Sequence, residues 1–197
     1  MGPWTHETER YRYATREDLP AFVRMLSDPE VGRWLWFTPA PAEALNGFFA
    51  PLLDQQAAQI AAGETPHTAV FTVEDLEGGF LGQGAVVAVE ASPGGCEIGF
   101  QLARESWGRG VGTRLGKFLC AYAVNICEAY RVEGGCLEGN VGSSTLLRKL
   151  GLTLEGTRPG YRVKDGVRHT ELCFGREVSA LDADMIREVA ERTKLIG

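Results

Sequence analysis

A glycine-rich loop between a strand pattern and a helix pattern limits the folds open to this sequence more than any other feature. In residues 96–102, apolar side chains alternate with polar residues or glycine, as in a β-strand with one buried face. In residues 110–127, apolar side chains recur at helical spacing. The connecting residues, 106–114, contain three glycines at alternate positions. Such a loop leaves N–H groups unpaired at the start of a helix, so the sequence predicts a site for a phosphate or pyrophosphate.

Three kinds of loop compete for this segment. A P-loop needs G-x-x-x-x-G-K-[ST], and no Lys-Ser or Lys-Thr pair follows these glycines. A dinucleotide fingerprint needs G-x-G-x-x-G within a parallel βαβ unit, but Gly108 and Gly110 are followed by Thr113 at the third position. Gly110 and Gly112 are followed there by Leu115. The third alternative is a glycine-rich turn that binds nothing.

Further strand and helix patterns lie on both sides of this loop. The predicted strands at 68–74, 80–89 and 96–102 are joined by short turns and therefore form an antiparallel meander. The whole pattern predicts an α/β (α+β) fold with a mixed, mostly antiparallel central sheet of about six to seven strands, flanked by helices. The other predicted strands are 11–14, 132–138, 152–155 and 171–176, and the other predicted helices are 15–28, 43–62, 143–150 and 181–195.

Two of these helices contain residues with special backbone roles. Ser143 is the candidate N-cap of the helix at 143–150, and Gly151 is the expected residue just beyond its end. Pro51 lies inside the helix at 43–62, where we expect it to kink or split the helix because proline cannot donate the helical hydrogen bond.

The composition is typical of a globular chain with a packed core. Of the 197 residues, 44% are hydrophobic and 23% are charged, which is too apolar for a disordered chain. The length predicts one domain, 1–197, with a core at about 11–176 and a C-terminal helical extension at 177–197. The formal net charge of -6 argues against nucleic acid as a partner, because nucleic-acid binding usually needs a basic face. No stretch approaches the roughly 18 apolar residues of a membrane span, so we expect no membrane partner.

The cysteines and histidines indicate neither disulfides nor a metal site. The five cysteines are odd in number, none forms a C-x-x-C pair, and each lies in an apolar stretch. We therefore expect unpaired thiols in a reducing compartment and, without a secretion signal, a cytoplasmic location. The three histidines are far apart and have no ligand at zinc-site spacing, so no metal is expected. The cysteines are Cys96, Cys120, Cys127, Cys136 and Cys173.

The glycine-rich loop resembles motif A of the GNAT acyltransferase superfamily, [QR]-x-x-G-x-[GA], which holds the pyrophosphate of acetyl-CoA. Gly110 and Gly112 match the two small positions, whereas Trp107 stands at the Gln/Arg position. Residues 96–110 (CEIGFQLARESWGRG) are similar to the RimJ/RimL-like branch, in which W-G-x-G follows a strand with E-I-G. Residues 140–152 also resemble that branch, with its pattern N-x-x-S-x-x-h-h-x-K-h-G-[FL], where h is apolar. The resemblance covers the chain from residue 11 to about residue 176.

The resemblance implies a GNAT-like fold with a splayed gap between central strands, and acetyl-CoA as the acyl donor in that gap. Main-chain groups near Leu102 would pair with the pantetheine arm. Asn140 and Ser143 would line the thiol end or the pantetheine. The glycine-rich loop would hold the pyrophosphate. The implied residues of that loop are Trp107, Gly108, Arg109, Gly110, Val111, Gly112, Thr113 and Arg114.

The resemblance also implies direct transfer of the acetyl group to a primary amine of a protein N-terminus or a small molecule. Glu97 stands where several members carry a glutamate base, and a solvated strand carboxylate is the alternative reading. The usual tyrosine acid falls on Leu147. Ser143 or Ser144 would then take its place, and we assign Ser143 with Glu97 as the catalytic pair.

Aromatic residues early in the chain lie where family members build the wall of the acceptor site. They are Trp34, Trp36 and Phe37, joined by Tyr161 in a late turn, and the alternative is that the early three belong to the core. Because the usual tyrosine is missing, a catalytically weak acyl-CoA-binding or sensing module is an alternative function, and a phosphate-binding nucleotide enzyme is a second one. Dimers are common among relatives, so a homodimer is among the expectations.

Overall fold

The computed structural model describes residues 2–36 and 41–196, which contain one sheet of eight strands. The strands are β1 (Trp4–His6), β2 (Glu9–Tyr13), β3 (Thr68–Asp75), β4 (Phe80–Ala88), β5 (Gly95–Leu102), β6 (Arg131–Leu137), β7 (Thr153–Lys164) and β8 (Val167–Glu177). Their order across the sheet is β1-β2-β3-β4-β5-β6-β8-β7. Every neighbouring pair is antiparallel except β5 and β6, so the mixed, mostly antiparallel sheet and its meander are confirmed.

The eighth strand, β1, is the one that the sequence does not predict. Its three residues are too few to show a period of two, and it pairs only with β2. Trp4 is 3% exposed, and its ring packs edge-on against Tyr13 and, tilted, against Phe118. The buried indole therefore anchors β1 at the edge of the sheet, which explains why the count exceeds the expected six to seven.

Six α-helices flank the sheet in the part of the chain that the structure describes. They are α1 (Leu19–Leu26), α2 (Pro29–Gly32), α3 (Ala42–Ala61), α4 (Val111–Asn125), α5 (Val141–Lys149) and α6 (Ala183–Thr193). Pro51 lies inside α3 without splitting it. The prediction that Ser143 caps α5 is wrong, because Asn140 is the N-cap and its side chain accepts a hydrogen bond from the Ser143 N–H. Gly151 follows α5 with a φ of 87°, as expected for a residue beyond a helix end.

The two faces of the sheet carry two separate hydrophobic cores. The larger core lies between one face and helices α4 and α6, where Phe118 and Val189 are buried. The smaller core lies between the other face of β3 and helices α1 and α3, where Phe22 and Leu53 are buried. None of the helices in the described part of the chain has the length and apolar composition that a membrane span requires.

The parallel pair β5 and β6 separates soon after it begins. The register joins Gly95 to Arg131 and ends with Glu97 opposite Glu133, although both strands continue. This divergence opens the expected gap in the middle of the sheet. Because the strands are parallel, their carboxyl ends lie at the same edge, and α4 and α5 both begin there.

Candidate functional site

The glycine loop, residues 107–114, connects the end of β5 to α4. The indole N–H of Trp107 donates a 3.0 Å hydrogen bond to the Leu102 carbonyl, which fastens the loop to the strand. Gly108 and Gly110 have φ angles of 72° and 80°, which other residues adopt only with strain. Gly110 is also the N-cap of α4. The sequence folds here as a tight turn because glycine stands at both positions that require a positive φ.

The hydrogen-bond donors that the glycine loop offers to a ligand are mainly its main-chain N–H groups. The N–H groups of residues 108–112 donate no hydrogen bond to any other residue in the described part of the chain. The next two amides are occupied, because Thr113 and Arg114 both donate to the Gly110 carbonyl, at 3.0 and 3.1 Å. Five consecutive free donors at the positive end of a 15-residue helix suit an anion.

The two arginines of the glycine loop have different roles. The guanidinium of Arg114 binds Glu9 of β2 through two hydrogen bonds of 2.6 Å and donates a third, at 3.0 Å, to the Arg109 carbonyl. This side chain therefore supports the loop from inside. Arg109 is exposed and forms no ion pair with another described residue, so it is the cation that the loop presents to a ligand.

Gly112 has a packing role in addition to its place in the loop. A Cβ at this position would lie 2.8 Å from Cδ1 of Leu146 and 3.3 Å from Cδ1 of Leu102. One turn later, a Cβ at Gly116 would lie 2.7 Å from Cδ1 of Leu150. The two glycines let α4 lie close against α5, so a side chain at Gly112 disturbs helix packing whether or not a ligand binds.

The start of α5 adds polar groups at the same edge of the sheet. The Asn140 carbonyl oxygen accepts from the Ser143 N–H at 3.1 Å, and the hydroxyl of Ser143 has no hydrogen bond to another described residue. Leu147, at the position where the sequence analysis expected a tyrosine, is 1% exposed and packs under Gly134 of β6. Ser143 lies about one turn before Leu147 in α5 and is half-buried.

Glu97 lies on β5 at the point where the gap opens. It is half-buried on the face away from α4 and has no ion pair in the described residues. Burial raises its pKa, and the carboxylate of Glu133 on the neighbouring strand raises it further. Glu97 is thus a carboxyl whose pKa lies above that of an ordinary glutamate.

A group of charged residues that the sequence analysis missed lies on the same side of the sheet as Glu97. Glu171 of β8 is 3% exposed and accepts hydrogen bonds from Arg162, at 2.5 and 3.0 Å, and from Arg158, at 3.2 Å. We call Glu97, Glu133, Glu171, Arg158 and Arg162 the charged face. A glutamate followed by the apolar run Leu172–Phe174 in a strand was the available signal, but its two partners lie on β7, nine and thirteen residues earlier.

The aromatic segment, residues 31–41 of the sequence, covers part of the charged face through Trp36. The Arg162 guanidinium lies 3.9 Å from the centre of a Trp36 ring, and a Cβ at Gly135 of β6 would lie 3.1 Å from the same indole. The buried ammonium of Lys164 donates to the carbonyls of Gly32 and Arg33, at 2.5 and 2.9 Å. These contacts fasten the end of α2 to the hairpin of β7 and β8.

The other predicted aromatic residues have different positions. Trp34 lies near Gly139, just before α5, and carries the Arg33 guanidinium 4.9 Å from the centre of its ring. Tyr161 lies within β7 and not in a turn, and its ring is 55% exposed with Arg158 at 4.9 Å. Phe37 lies outside the described residues. Trp36 and Tyr161 therefore both border the charged face, and Trp34 borders the start of α5.

Comparison with known proteins assigns the fold to one family. The family described as "Acetyltransferase (GNAT) domain" matches residues 10–153. A search of curated proteins found no match.

Among solved structures, RimJ of Mycobacterium smegmatis in complex with CoA-disulfide is 18% identical, with a TM-score of 0.75 over 93% of this chain and 88% of that one. Spermidine N-acetyltransferase of Vibrio cholerae, in complex with CoA and spermine, is 15% identical, with a TM-score of 0.74 over 89% and 98%. Ribosomal-protein-S5-alanine acetyltransferase of Vibrio fischeri is 17% identical, with a TM-score of 0.74 over 88% and 95%.

Proposed function

Because the chain belongs to the GNAT acetyltransferase family, whose members transfer acetyl groups from acetyl-CoA, we propose that it is an N-acetyltransferase acting on a primary amine by direct transfer. One observation carries the proposal. Five free amides at the start of α4 lie at the edge of the sheet where β5 and β6 separate, and Glu97 lies where that separation begins. An anion-binding loop and a proton acceptor thus share one gap.

The donor would lie in the gap with its pyrophosphate at the glycine loop. The free amides of residues 108–112 and the side chain of Arg109 would bind the phosphates, because fixed N–H groups at a helix start need no reorganisation. Main-chain groups near Leu102 would pair with the pantetheine, and Asn140 and Ser143 would lie near the thiol. Trp107 positions the loop through its hydrogen bond to β5.

Glu97 is proposed as the general base. An ammonium has no free electron pair, so the acceptor must lose a proton before it attacks the acetyl carbonyl. The new C–N bond forms as the C–S bond breaks, and the departing thiolate takes a proton. Ser143 is proposed for that step, because its hydroxyl is free and Leu147 offers none. Trp34, Trp36 and Tyr161 would line the acceptor site together with Phe37.

Release of free CoA thiol is the direct test of the proposed function. The wild-type protein with acetyl-CoA and a panel of primary amines should release CoA steadily and form an N-acetylated product, which mass spectrometry identifies. Four statements stay predictions: membership of the RimJ/RimL-like branch, a homodimer, a cytoplasmic location and a single domain at 1–197.

A catalytically weak acyl-CoA-binding module is the second candidate, and the buried Leu147 favours it. Such a module binds acetyl-CoA as tightly as an enzyme does but releases no thiol with any amine. Calorimetric titration with acetyl-CoA, run beside the release assay, separates the two functions. Stabilisation by ATP or NAD in place of CoA would favour a nucleotide enzyme and contradict both.

A further inference from the structure

The β7 end of the charged face carries an excess of positive charge, although the chain as a whole has a net charge of -6. One carboxylate, Glu171, serves two guanidiniums, those of Arg158 and Arg162. Because Glu171 is buried and close to both, it neutralises one positive charge and leaves the other. This end of the face is therefore suited to an anion.

Only one of the two arginines is free to bind a ligand. Arg162 has two hydrogen bonds to Glu171, and its guanidinium is stacked 3.9 Å from the Trp36 ring centre. Arg158 has a single 3.2 Å bond to Glu171, and its side chain is 54% exposed over the Tyr161 ring. An arginine carries five N–H donors, so most donors of Arg158 face outward. Arg162 supports the face, and Arg158 presents its charge to solvent.

The β5 end of the charged face has the opposite excess. Glu97 has no ion pair with a described residue, and a single guanidinium, that of Arg131, serves both Glu133 and Glu155. Two carboxylates for one cation, with Glu97 in addition, make this end negative and suited to an ammonium group. The gap that would hold the acetyl group opens at this end.

Both ends lie on one side of the sheet. Residues that are opposite each other in the register point to the same side. The register joins Glu97 to Glu133, then Leu137, on the same side of β6 as Glu133, to Glu171, and Glu171 to Arg158. Trp36 lies between the two ends, over Gly135 of β6. Burial and the Glu133 charge raise the pKa of Glu97, and the guanidiniums of Arg162 and, to a smaller extent, Arg158 act against that rise.

We propose that the acceptor is a primary amine that carries an anionic group a few bonds away. Arg158 binds the anionic group, and the end of the charged face at Glu97 receives the amine. This inference rests on the proposed function and names the class of acceptor. The anionic group is the carboxylate of a free amino acid or the acidic side chain of an N-terminal residue, which share one chemistry.

Matched acceptors test the inference with the wild-type protein and acetyl-CoA. The probes are ω-amino acids from glycine to 6-aminohexanoate, each beside its primary amide, and short peptide amides that begin with Asp or Asn. We expect kcat/KM to favour the anionic member of the best-fitting pair by about 10- to 100-fold, the usual contribution of a charged hydrogen-bond partner. A preference within the amino acids identifies a small-molecule acceptor, and one within the peptides identifies a protein N-terminus.

Arg158→Gln sharpens the test because it removes the charge and keeps a polar side chain. It should lower kcat/KM for anionic acceptors by the same factor, through KM, and leave their neutral partners unchanged. Arg187→Gln on α6, where the side chain is 64% exposed, is the matched control and should change neither. Equal use of both members of every pair, or an equal loss for both in Arg158→Gln, overturns the inference.

The N-acetyltransferase activity and the anionic acceptor can be contradicted by different results. CoA release with neutral amines or spermidine, but not with anionic amines, supports the N-acetyltransferase and overturns the anionic acceptor. If no amine releases CoA, the proposed N-acetyltransferase activity is wrong. Binding at the anion site is then tested by the thermal unfolding of the CoA complex with each probe. Stabilisation by an anionic probe that Arg158→Gln abolishes supports the anion site, and equal stabilisation by acid and amide overturns it.

Discussion

The glycine loop and the charged face bind through different chemistry. The glycine loop is one continuous segment whose donors are main-chain N–H groups, and its conformation depends on Gly108 and Gly110. The charged face is built from side chains of β5, β6, β7 and β8, with Trp36 placed on top. A main-chain site is determined mostly by local sequence, although Glu9 and Leu146 from other parts of the chain also support this one. A side-chain site depends on register, so its specificity changes when one residue changes.

Glu97→Gln tests the charged face with the largest expected effect. Glutamine cannot accept the proton of the amine, so kcat should fall by about 10²- to 10⁴-fold, the usual contribution of a general base. The affinity for acetyl-CoA, measured by calorimetry, should stay the same because the glycine loop is untouched. Glu90→Gln, at an exposed position after β4, is the control. An unchanged kcat would show that another group takes the proton.

Gly108→Ala tests the glycine loop by conformation alone. Gly108 has a φ of 72°, but a Cβ there would meet no atom within 4 Å. Alanine disfavours this φ by about 1 to 2 kcal/mol, so the free loop relaxes and the Kd for acetyl-CoA should rise by about 5- to 30-fold. Gly156→Ala is the matched control, because it also has free space but an ordinary φ. Equal Kd values for the two variants contradict the role of the loop conformation.

Lys164→Met tests how the aromatic segment is held on the hairpin. The change removes the Lys164 donor from the carbonyls of Gly32 and Arg33, of which that of Gly32 keeps the N–H of Leu35, so the free energy of unfolding should fall by about 1 to 3 kcal/mol. The KM for the acceptor should rise, while the Kd for acetyl-CoA should not change. Lys149→Met on the exposed side of α5 serves as the control. A rise in the acetyl-CoA Kd would mean that the two regions are coupled.

The pH profile of Glu133→Gln tests a smaller electrostatic effect. Glu97 acts as a base only when it is ionised, so kcat/KM falls as the pH drops through its pKa. Burial and the Glu133 charge raise that pKa, which places the fall at a higher pH than for an ordinary glutamate. Without the Glu133 charge the fall should move to lower pH. If kcat/KM falls at the same pH in the wild-type protein and the variant, the Glu133 charge does not raise the pKa of Glu97.

The sequence predicted the parts of the molecule that depend on local pattern. The meander followed from alternation in β3, β4 and β5, and α4 followed from its apolar period. Sequence patterns predicted less where tertiary contacts determine the length of a strand or the first residue of a helix. β7 is exposed along most of its length and shows no alternation, so only its first residues were predicted. Asn140 and Ser143 both suit an N-cap, and the position of the chain after β6 selects Asn140.

The sequence predicted the position of the glycine loop but not the role of Arg114, whose guanidinium binds Glu9, and among the five residues of the charged face it singled out only Glu97. Glu97 was identified from its place on the strand before the loop. Glu171 and Lys164 are charged residues that are buried because of tertiary partners. Glu171 binds two arginines of the neighbouring strand β7, and the carbonyls that accept from Lys164 lie more than 130 residues earlier. Sequence patterns predict a charged residue to be exposed, and only the register of β7 and β8 reverses that expectation.

Amide resonances of the glycine loop test the central claim most directly. With selective ¹⁵N labelling of the 25 glycines, CoA is titrated into the protein and the chemical shifts are followed to saturation. Free N–H groups that bind the pyrophosphate predict large, saturating shifts at Gly108, Gly110 and Gly112. Gly63 and Gly94, in turns outside the loop, should change little. Saturation by CoA with the three loop glycines unmoved, or moved less than Gly63 and Gly94, would contradict binding at the start of α4.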